Sequence, residues 1–475
     1  MDILTQLPDL HLERVLHKDG EQIHTELRSY FEQGTTKSTS NRRKSLEKLR
    51  STLKAYQSEL TKALALDLGK PAFEAYTSEI GFVYQDISHT LGHLDRWVRS
   101  SEKEVGMAFW PSSAESMYQP KGVVLIVSPW NYPLNLALAP LVAAVAAGCC
   151  IVLKPAEDTP AVSTLIGEII EKAFHKDHVR VVHGPGSEVV STLMDAGRFD
   201  HVFYTGSTRV GRILGERCGR ELIPCTLELG GKSPAIVMDD ASLKASADRI
   251  IWGKCFNAGQ TCVAPDYLLV DRSILNKTVE ALKKVILLAY GENPIESPDF
   301  ARIINQHHFE RLVALLKNAD IVHGGDYEKD ERFIAPTLVL VNELDSPLME
   351  SEIFGPVLPI IAFDTWEHAK AIIAKHPNPL AGYIFTESKA KADRFIEEVN
   401  FGGGCVNDAI IHLGVPDLPF GGVGQSGWGR YHSDEGFKAF SNQKSIVRSP
   451  TRVNLPTRYA PYKQSLLRAV KWLIK

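Results

Sequence analysis

GVVLIVSPWNYPLNLALAPLVAAVAAGCCIVLKP, residues 122–155, joins two strand-like runs through one helix-like run. The outer runs, GVVLIVSP and CCIVLKP, are rich in β-branched residues and are predicted as buried strands. The alanine-rich segment LALAPLVAAVAAG between them is predicted as a buried helix. Because parallel strands need a crossover connection, the order strand–helix–strand predicts a parallel sheet with a helix packed on it.

The same alternation continues along the chain. Helix-like segments separate three further strand-like runs before residue 231: VRVVHG, HVFYTG and CTLELGG. A second cycle follows, with the strand-like runs PAIVMDD, YLLVDR, TLVLVNEL, LPIIAFD and GYIFT. Residues 22–105 look helical instead. Since 475 residues exceed one ordinary hydrophobic core, the sequence predicts an α/β protein with two large lobes.

The composition is that of an ordinary globular protein, with 44% apolar residues, 23% charged residues and a net charge of −4. This charge argues against a nucleic-acid-binding protein. The seven cysteines form no C-x-x-C pair, which predicts free thiols in the cytoplasm and no metal site. The start MDILTQLPDLHLERV does not resemble a secretory signal, and prolines interrupt the apolar region 123–153, which argues against a membrane span.

Two residues are candidates for nucleophilic chemistry. Cys262 lies in FNAGQTCVAP, where small and polar neighbours would leave its sulfur accessible, although a buried cysteine is usually inert. Glu228 ends the apolar strand TLEL, and burial there would raise its pKa toward the range of a general base. The alternative for Glu228 is a structural ion pair with Lys232, and the residues alone leave both interpretations open.

Two further motifs follow buried strands. SPWNYP presents Asn131 on a proline-fixed loop, where its amide could donate to an oxyanion or satisfy its own turn. FYTGSTRVG places Gly206 and Ser207 in a strand-to-helix turn suited to a phosphate, with Gly211 in the helix. In KPAED, Lys154 and Glu157 could hold ribose hydroxyls, and a carboxylate there favours NAD, with NADP as the alternative.

Taken together, the motifs resemble the aldehyde dehydrogenase superfamily over about residues 22–450. The motifs are SPWNYP, KPAED, FYTGSTRVG, ELGGKSP, GQTCVAPDY, EIFGPV and LPFGGVGQSG, in the family's order. Two longer stretches are similar to the class 3 and fatty aldehyde branch, NAGQTCVAPDY and LPFGGVGQSGWGRYHSDEGFKAFS. The resemblance implies a Rossmann-type cofactor domain, an α/β catalytic domain and a small β oligomerisation hairpin.

The resemblance also implies a role for each matching residue. Cys262 would be the nucleophile, Glu228 the general base and Asn131 the oxyanion donor, with Lys232 either tuning Glu228 or structural. Cofactor contacts would come from Trp130, Lys154, Glu157, Gly206, Ser207, Gly211, Leu229, Glu352 and Phe354. The substrate tunnel would include Phe82, Tyr132, Trp252 and His412, although the aromatic residues could simply pack the core and His412 could be an ordinary surface residue. These side chains favour hydrophobic aldehydes, aliphatic or aromatic.

The resemblance divides the chain into segments and implies a homodimer. Residues 1–104 and 124–229 would form the NAD-binding domain, residues 230–425 the catalytic domain, residues 105–123 and 426–450 the bridging segments, and residues 451–475 a basic amphipathic tail. Its residues Leu466, Leu467, Val470, Leu473 and Ile474 share one helical face, opposite Arg468, Lys471 and Lys475. Residues 458–475 could dock on the protein, cover the tunnel or contact an anionic membrane from the side.

Two other functions remain open from the sequence. An acylating dehydrogenase would pass the acyl group to coenzyme A, but Glu228 argues for water as the acceptor. A catalytically idle binding or scaffold protein would have no need of the combination of Cys262, Glu228 and Asn131.

Overall fold

The computed structural model describes residues 17–473. The helices are α1 (His17–Glu32), α2 (Thr39–Ala55), α3 (Gln57–Leu68), α4 (Ala72–Ala75), α5 (Gly81–Val98), α6 (Asn135–Ala147), α7 (Pro160–Ala173), α8 (Gly186–Ala196), α9 (Thr208–Glu221), α10 (Leu243–Cys255), α11 (Leu275–Tyr290), α12 (Gln306–Leu315), α13 (Pro347–Glu350), α14 (Trp366–Ile373), α15 (Lys389–Glu398), α16 (Ser433–Ala439) and α17 (Gln464–Leu473). The sequence interpretations of residues 1–16, Ile474 and Lys475 lie outside this range.

Ten of the eighteen strands within residues 17–473 occupy positions that the alternating pattern predicts. The eighteen strands are β1 (Ser101–Lys103), β2 (Ser113–Pro120), β3 (Val123–Val127), β4 (Cys150–Lys154), β5 (Val179–Val181), β6 (His201–Thr205), β7 (Cys225–Glu228), β8 (Pro234–Val237), β9 (Tyr267–Asp271), β10 (Asp320–His323), β11 (Tyr327–Glu328), β12 (Phe333–Ile334), β13 (Thr337–Leu340), β14 (Val357–Phe363), β15 (Ala381–Phe385), β16 (Gly403–Val406), β17 (Gly427–Trp428) and β18 (Ser441–Arg448).

The first large sheet has six strands in the order β17-β7-β6-β3-β4-β5. The strands from β7 to β5 are parallel, and the short β17 pairs antiparallel with β7. From β3 the chain builds outward to β4 and β5, then returns to add β6 and β7 on the other side. The strand order therefore reverses between β3 and β6, and such a switch point opens a crevice at the carboxyl ends of the strands.

The two faces of β3 explain why its sequence is apolar without interruption. Val124 and Ile126 pack in the main hydrophobic core with α6, whereas Val123, Leu125 and Val127 pack in a second core on the other face. A strand that is covered on both sides has no position at which a polar side chain could meet water. The helix α6 is buried on nearly all sides for the same reason.

The second large sheet has seven strands in the order β10-β13-β14-β9-β8-β15-β16. All pairs are parallel except β10 with β13, which is antiparallel. A third, antiparallel sheet has the order β1-β2-β18, so the hairpin begins at Ser101 and not near residue 105. The strand β17 extends the first sheet although it lies within residues 426–450. The domain boundaries stay a prediction.

Candidate active site

The candidate residues gather where the two large sheets meet. On the first sheet they lie at or just after the carboxyl ends of strands, where β3 leads to Asn131, β4 ends at Lys154, β6 leads to Gly206 and β7 ends at Glu228. In the second sheet, Cys262 precedes β9 and Glu352 precedes β14. The site is therefore built between the carboxyl edge of one sheet and the amino ends of strands in the other.

Cys262 follows a backbone segment in an uncommon conformation. Asn257, Ala258 and Gly259 have φ angles of +55°, +51° and +75°. A Cβ atom at Gly259 would come within 2.3 Å of the Gly355 carbonyl oxygen, so this position requires glycine. The backbone N–H of Asn257 donates to Glu74 Oε2 at 2.9 Å. Neighbouring groups thus hold the turn that carries Cys262, and such strain is common at functional sites.

The Asn131 amide is fixed by a hydrogen-bonded network. Its Nδ2 donates to the Gln260 backbone carbonyl oxygen at 3.0 Å, and the backbone carbonyl oxygen of Asn131 accepts from Asn257 Nδ2 at 2.8 Å. The Gln260 side chain in turn accepts from the Ile304 N–H at 2.9 Å and donates to the Arg302 carbonyl at 3.0 Å. Because an amide nitrogen carries two hydrogens, one N–H of Asn131 remains for a ligand.

A fully buried ion pair is hydrogen-bonded to this network. Lys70 Nζ lies 2.6 Å from Glu79 Oε1, and both side chains are 0% exposed. Lys70 also donates to the Asn131 carbonyl oxygen at 3.3 Å. Glu79 Oε2 accepts from the Leu134 and Asn135 N–H groups at the start of α6. We call the residues Lys70, Glu74, Glu79, Asn131, Asn257 and Gln260 the Asn131 network.

Glu228 has the opposite environment. It is 2% exposed, and within residues 17–473 neither carboxyl oxygen has a hydrogen-bond partner. Burial raises the pKa of this carboxyl well above its usual value of 4.5, and the charge of Arg430 opposes the shift only in part. The sequence alternative of an ion pair between Glu228 and Lys232 is wrong. Lys232 pairs with Asp266 and donates to the Leu348 and Ser351 carbonyl oxygens, which favours a structural role.

The Cys262 thiol is partly buried beside two carboxyl groups. Burial raises the pKa of the thiol, and the charges of Glu352 and Glu228 raise it further. Hydrogen bonds from the N–H groups of Cys262 and Val263 act in the other direction. Formation of the thiolate therefore depends on transfer of the thiol proton to a nearby acceptor. The N–H groups of Cys262 and Val263 then stabilise the negative charge on sulfur.

Glu352 lies close to the glycines that follow β7. A Cβ atom at Gly230 would come within 2.0 Å of Glu352 Oε2, so glycine leaves the space for this carboxyl group. Burial and the charge of Asp266 raise the pKa of Glu352 to about 8. The ring of Phe354, two residues later, stands edge-on to Trp130 with centroids 5.4 Å apart. Glu352, Phe354 and Trp130, three of the predicted cofactor-binding residues, thus lie in one region of the site.

Lys154 and Glu157 form an ion pair at the end of β4. Glu157 Oε1 also accepts from the Gly186 N–H at 2.7 Å, which ties the carboxylate to the first residue of α8. Burial raises the pKa of Glu157, but Lys154 and the Gly186 N–H outweigh it, so the group stays ionised. An anionic acceptor at this edge suits a ribose hydroxyl and would repel a phosphate.

The turn after β6 fits the phosphates of a dinucleotide. Ser207 is exposed and caps α9 by accepting from the Val210 N–H at 3.4 Å. A Cβ atom at Gly211 would come within 2.4 Å of Leu229 Cδ2, so this glycine lets α9 approach the end of β7. The open amino end of α9 lies at the switch point of the sheet. Its N–H groups and its dipole therefore suit an anionic group there.

The predicted tunnel residues are arranged unevenly around Cys262. Tyr132 Oη lies 2.5 Å from Thr261 Oγ1, next to the thiol. We call the continuous ring stack formed by Phe82, His432, Phe420, His412 and Tyr383 the aromatic wall, in which successive centroids are 5.5–6.3 Å apart. Tyr383 Oη donates to the Val263 carbonyl oxygen at 2.6 Å, so the wall ends beside Cys262.

His412 and Trp252 have different surroundings. His412 is not an ordinary surface histidine, because it is partly buried between the rings of Tyr383 and Phe420, and burial lowers its pKa to about 4. Trp252 is 41% exposed on α10, and its ring packs against that of Phe256 with centroids 5.5 Å apart. A tunnel role for Trp252 therefore has less structural support than one for Tyr132.

Sequence reasoning missed most of the Asn131 network. Lys70, Glu74 and Glu79 lie in the helical amino-terminal region, and apart from the Lys70–Glu79 pair their partners in the network are more than 50 residues away, so local patterns contain no signal. Asn257 offered one signal, because asparagine adopts left-handed backbone more readily than most residues. All seven cysteines lie within the described residues and are free thiols, as predicted.

Comparison with known proteins places the chain in a family. The aldehyde dehydrogenase family model matches residues 11–446. The 4,4'-diaponeurosporen-aldehyde dehydrogenase of Staphylococcus aureus is 42% identical over 445 residues, covering 93% of this chain and 96% of the relative. Aldehyde dehydrogenase family 3 member H1 of Arabidopsis thaliana is 40% identical over 462 residues, covering 96% and 95%.

A solved structure shows the same fold. Staphylococcus aureus AldH in its substrate-bound state matches with a TM-score of 0.93 at 40% identity, over 96% of this chain and 99% of that one. The predicted fold class, enzyme class and similarity to the class 3 branch are confirmed. The chain belongs to the aldehyde dehydrogenase family.

Proposed function

We propose that this enzyme oxidises hydrophobic aldehydes to carboxylates with NAD as the hydride acceptor, through a thioester on Cys262. The observation that supports this most is the convergence of three groups between the two large sheets. They are a partly buried thiol, an amide with one unused N–H and a buried carboxyl without a partner, from Cys262, Asn131 and Glu228.

Each residue has a defined task in the reaction. The Cys262 thiolate attacks the aldehyde carbon, a C–S bond forms, and the carbonyl electron pair moves to oxygen. Asn131 Nδ2 and the Cys262 N–H donate to that oxygen. When bound, a nicotinamide dinucleotide would supply the acceptor for the hydride of the C–H bond, while the oxyanion held by Asn131 and the Cys262 N–H would return its electron pair to form the thioester carbonyl. Glu228 then takes a proton from water, the water oxygen attacks the thioester, and the C–S bond breaks to return the thiolate.

The residues around the switch point fit this cofactor. The amino end of α9 would face the pyrophosphate, and the ionised Glu157 would accept from the adenosine ribose. Glu352 would contact the second ribose, and Phe354 and Trp130 would bound the nicotinamide pocket. The carboxylate of Glu157 favours NAD over NADP.

The assignment is tested with a chain-length series of aldehydes, following NADH and NADPH formation separately. Cys262→Ser should abolish product formation while NAD still quenches tryptophan fluorescence, because the serine hydroxyl is a far weaker nucleophile at neutral pH. Cys225→Ser serves as the control, since Cys225 is also a partly buried free thiol. Retained turnover in Cys262→Ser, or equal loss in both variants, would contradict the nucleophile assignment.

The aromatic wall supports a hydrophobic substrate. Its rings end beside Cys262 at Tyr383 and would line one side of the approach to the thiol, and Tyr132 would border it on another side. Burying each additional methylene of a substrate contributes about 0.8 kcal/mol, so kcat/KM should rise with chain length until the space is filled.

We further propose that the chain forms a homodimer through its third sheet. β18 is an edge strand with a largely exposed sequence, and an edge strand presents unpaired backbone groups to a partner. The proposed division into cofactor, catalytic and bridging segments would place this sheet outside both large lobes. Sedimentation equilibrium should give twice the chain mass of 52.6 kDa, and a monomer at micromolar concentration would contradict it.

The tail is proposed to dock on the protein with one face and to contact anionic lipid with the other. α17 packs near the Met107–Phe109 turn, with Leu466 partly buried, whereas Trp472 is 74% exposed. Within residues 17–473, no helix is both long and apolar enough to cross a bilayer. Truncation after Pro456 should reduce sedimentation with phosphatidylserine vesicles, and unchanged sedimentation would leave only the docking contact.

A further inference from the structure

Lys232 and Asp266 form a buried ion pair that joins two parts of the candidate site. Lys232 Nζ donates to Asp266 Oδ2 at 2.5 Å, and the two side chains are 3% and 4% exposed. Lys232 lies four residues after Glu228, and Asp266 lies four residues after Cys262. The pair therefore links the segment that carries the proposed general base to the segment that carries the proposed nucleophile.

The same ion pair holds the backbone on both sides of Glu352. Lys232 Nζ donates to the carbonyl oxygen of Ser351 at 3.0 Å. Asp266 Oδ1 accepts from the N–H of Ile353 at 2.9 Å. Because Ser351 precedes Glu352 and Ile353 follows it, the two contacts fix the position from which the Glu352 side chain extends.

Glu352 depends on these contacts because no strand holds it. It lies in the connection between β13 and β14, which contains the single-turn helix α13. Within that turn, Lys232 Nζ also donates to the Leu348 carbonyl oxygen at 2.8 Å. The last carbonyl groups of a helix have no donors within it, so the ammonium group stabilises the turn as well as the residues after it.

These contacts use the whole hydrogen-bonding capacity of Lys232. Its ammonium group carries three hydrogens, and its three acceptors are Asp266 Oδ2 and the carbonyl oxygens of Leu348 and Ser351. No N–H of Lys232 therefore remains for a cofactor, for a substrate or for Glu228. An effect of Lys232 on the reaction is expected to pass through the residues that it holds.

We propose that Lys232 and Asp266 are positioning residues for hydride transfer, which hold Glu352 where its carboxyl group contacts the ribose next to the nicotinamide. The inference rests on the proposed function, in which Glu352 binds that ribose. Without the pair, the connection that carries Glu352 would shift, and the nicotinamide would be misplaced relative to the aldehyde carbon on Cys262. A misplacement of about 1 Å can slow a reaction roughly 10²-fold, whereas the thiol chemistry of Cys262 would continue.

The test measures hydride transfer and thiol chemistry separately in the full chain. The variants are Lys232→Met, which removes the ammonium group, and Lys232→Met/Asp266→Asn, which leaves neither partner charged. Stopped-flow absorbance gives the rate of the NADH burst with saturating NAD and a medium-chain alkanal. Hydrolysis of p-nitrophenyl acetate without NAD gives the thiol chemistry alone, because the ester acylates Cys262 with release of p-nitrophenolate and needs no hydride acceptor. We expect the burst rate to fall roughly 10- to 100-fold in both variants and ester hydrolysis to change little.

A double-variant cycle tests whether the effect passes through Glu352. Glu352→Ala should slow the NADH burst by itself, and adding Lys232→Met should slow it little further, because the positioned carboxyl group is already absent. Arg28→Met is the control, since it breaks a partly buried pair with Asp200 at the amino end of β3, and it should leave both rates unchanged. Independent effects of Lys232→Met and Glu352→Ala, which multiply in the combined variant, would overturn the inference.

The two assays also separate this inference from the proposed function. If wild type oxidised no aldehyde, the proposed function itself would fail. If wild type oxidised aldehydes and both Lys232 variants kept the wild-type burst rate, or lost the burst and ester hydrolysis equally, the positioning role would be refuted. A selective loss of the burst with ester hydrolysis retained would support it.

Discussion

The two polar regions beside Cys262 are built in opposite ways. In the Asn131 network, most buried groups have partners, including the Lys70–Glu79 pair and the amide of Gln260, and Asn257 Oδ1 is the exception. On the other side, Glu228 is just as buried, yet within residues 17–473 both of its carboxyl oxygens lack a hydrogen-bond partner.

The difference indicates that the Asn131 amide is held in a fixed position, whereas the Glu228 carboxyl is kept reactive. A satisfied network fixes a donor, so Asn131 needs little reorganisation when an oxyanion forms. An unsatisfied carboxyl is less stable when ionised and therefore binds a proton more strongly, which is what a general base requires. Changes on the two sides should therefore have different consequences, one for geometry and stability and the other for proton transfer.

The largest effect is expected from Glu228→Gln on turnover. Loss of a general base costs roughly 10²- to 10⁴-fold, and here the slow step should be hydrolysis of the thioester. A rapid burst of NADH followed by slow steady-state formation would show this in stopped-flow absorbance. Glu216→Gln, an exposed change on α9, is the control. A variant with the wild-type steady-state rate would remove Glu228 from the mechanism.

Glu79→Leu should give the largest loss of stability. It leaves Lys70 charged without its partner, and breaking a buried pair costs about 3–5 kcal/mol. The double variant Lys70→Met/Glu79→Leu should recover much of this free energy of unfolding, because no unpaired charge remains. Urea unfolding measures both, with the more exposed Lys389–Asp393 pair as the control, where Asp393→Ala should cost under roughly 1 kcal/mol. A small loss for Glu79→Leu would mean that the pair is not needed to hold Asn131.

Asn131→Ala tests whether the network serves catalysis. Removing one oxyanion donor lowers kcat by roughly 10²- to 10³-fold, or about 2.7–4 kcal/mol, whereas loss of the Gln260 hydrogen bond should cost stability only about 1 kcal/mol. Steady-state kinetics and urea unfolding on the same sample separate the two. Asn400→Ala removes an exposed amide and should change neither. If kcat and stability fall together by similar free energies, Asn131 is structural.

The same contrast explains what the sequence could predict. The strands and α6 were predictable, because a segment buried on both faces must be apolar throughout. The positions of Cys262, Glu228 and Asn131 at strand ends and loops were predictable for the same reason, since the alternation sets where the strands stop. Their roles came from the resemblance and not from spacing.

The partners of those residues were not predictable. Lys232 does not pair with Glu228, because it pairs with Asp266 instead. Asp266 directly precedes β9, 34 residues after Lys232 in the chain. The burial of His412 depends on the packing of Tyr383 and Phe420, from two separate segments. Contacts of this kind are tertiary, so no local pattern contains them.

The smallest expected effect concerns pH and the stability of the Glu228 side of the site. Burial raises the pKa of Glu228 in the folded state above its ordinary value of 4.5, so between those two values the folded protein binds more protons than the unfolded chain. Stability therefore falls as pH rises through that window. Glu228→Gln cannot ionise, so its free energy of unfolding relative to wild type should increase as the pH rises above the ordinary value of 4.5. Glu74 and Glu352, with pKa values raised to about 7 and about 8, titrate in both proteins and largely cancel in the difference. A difference that stays constant with pH would show that Glu228 has a partner when ionised, and the contrast with the Asn131 network would then be lost.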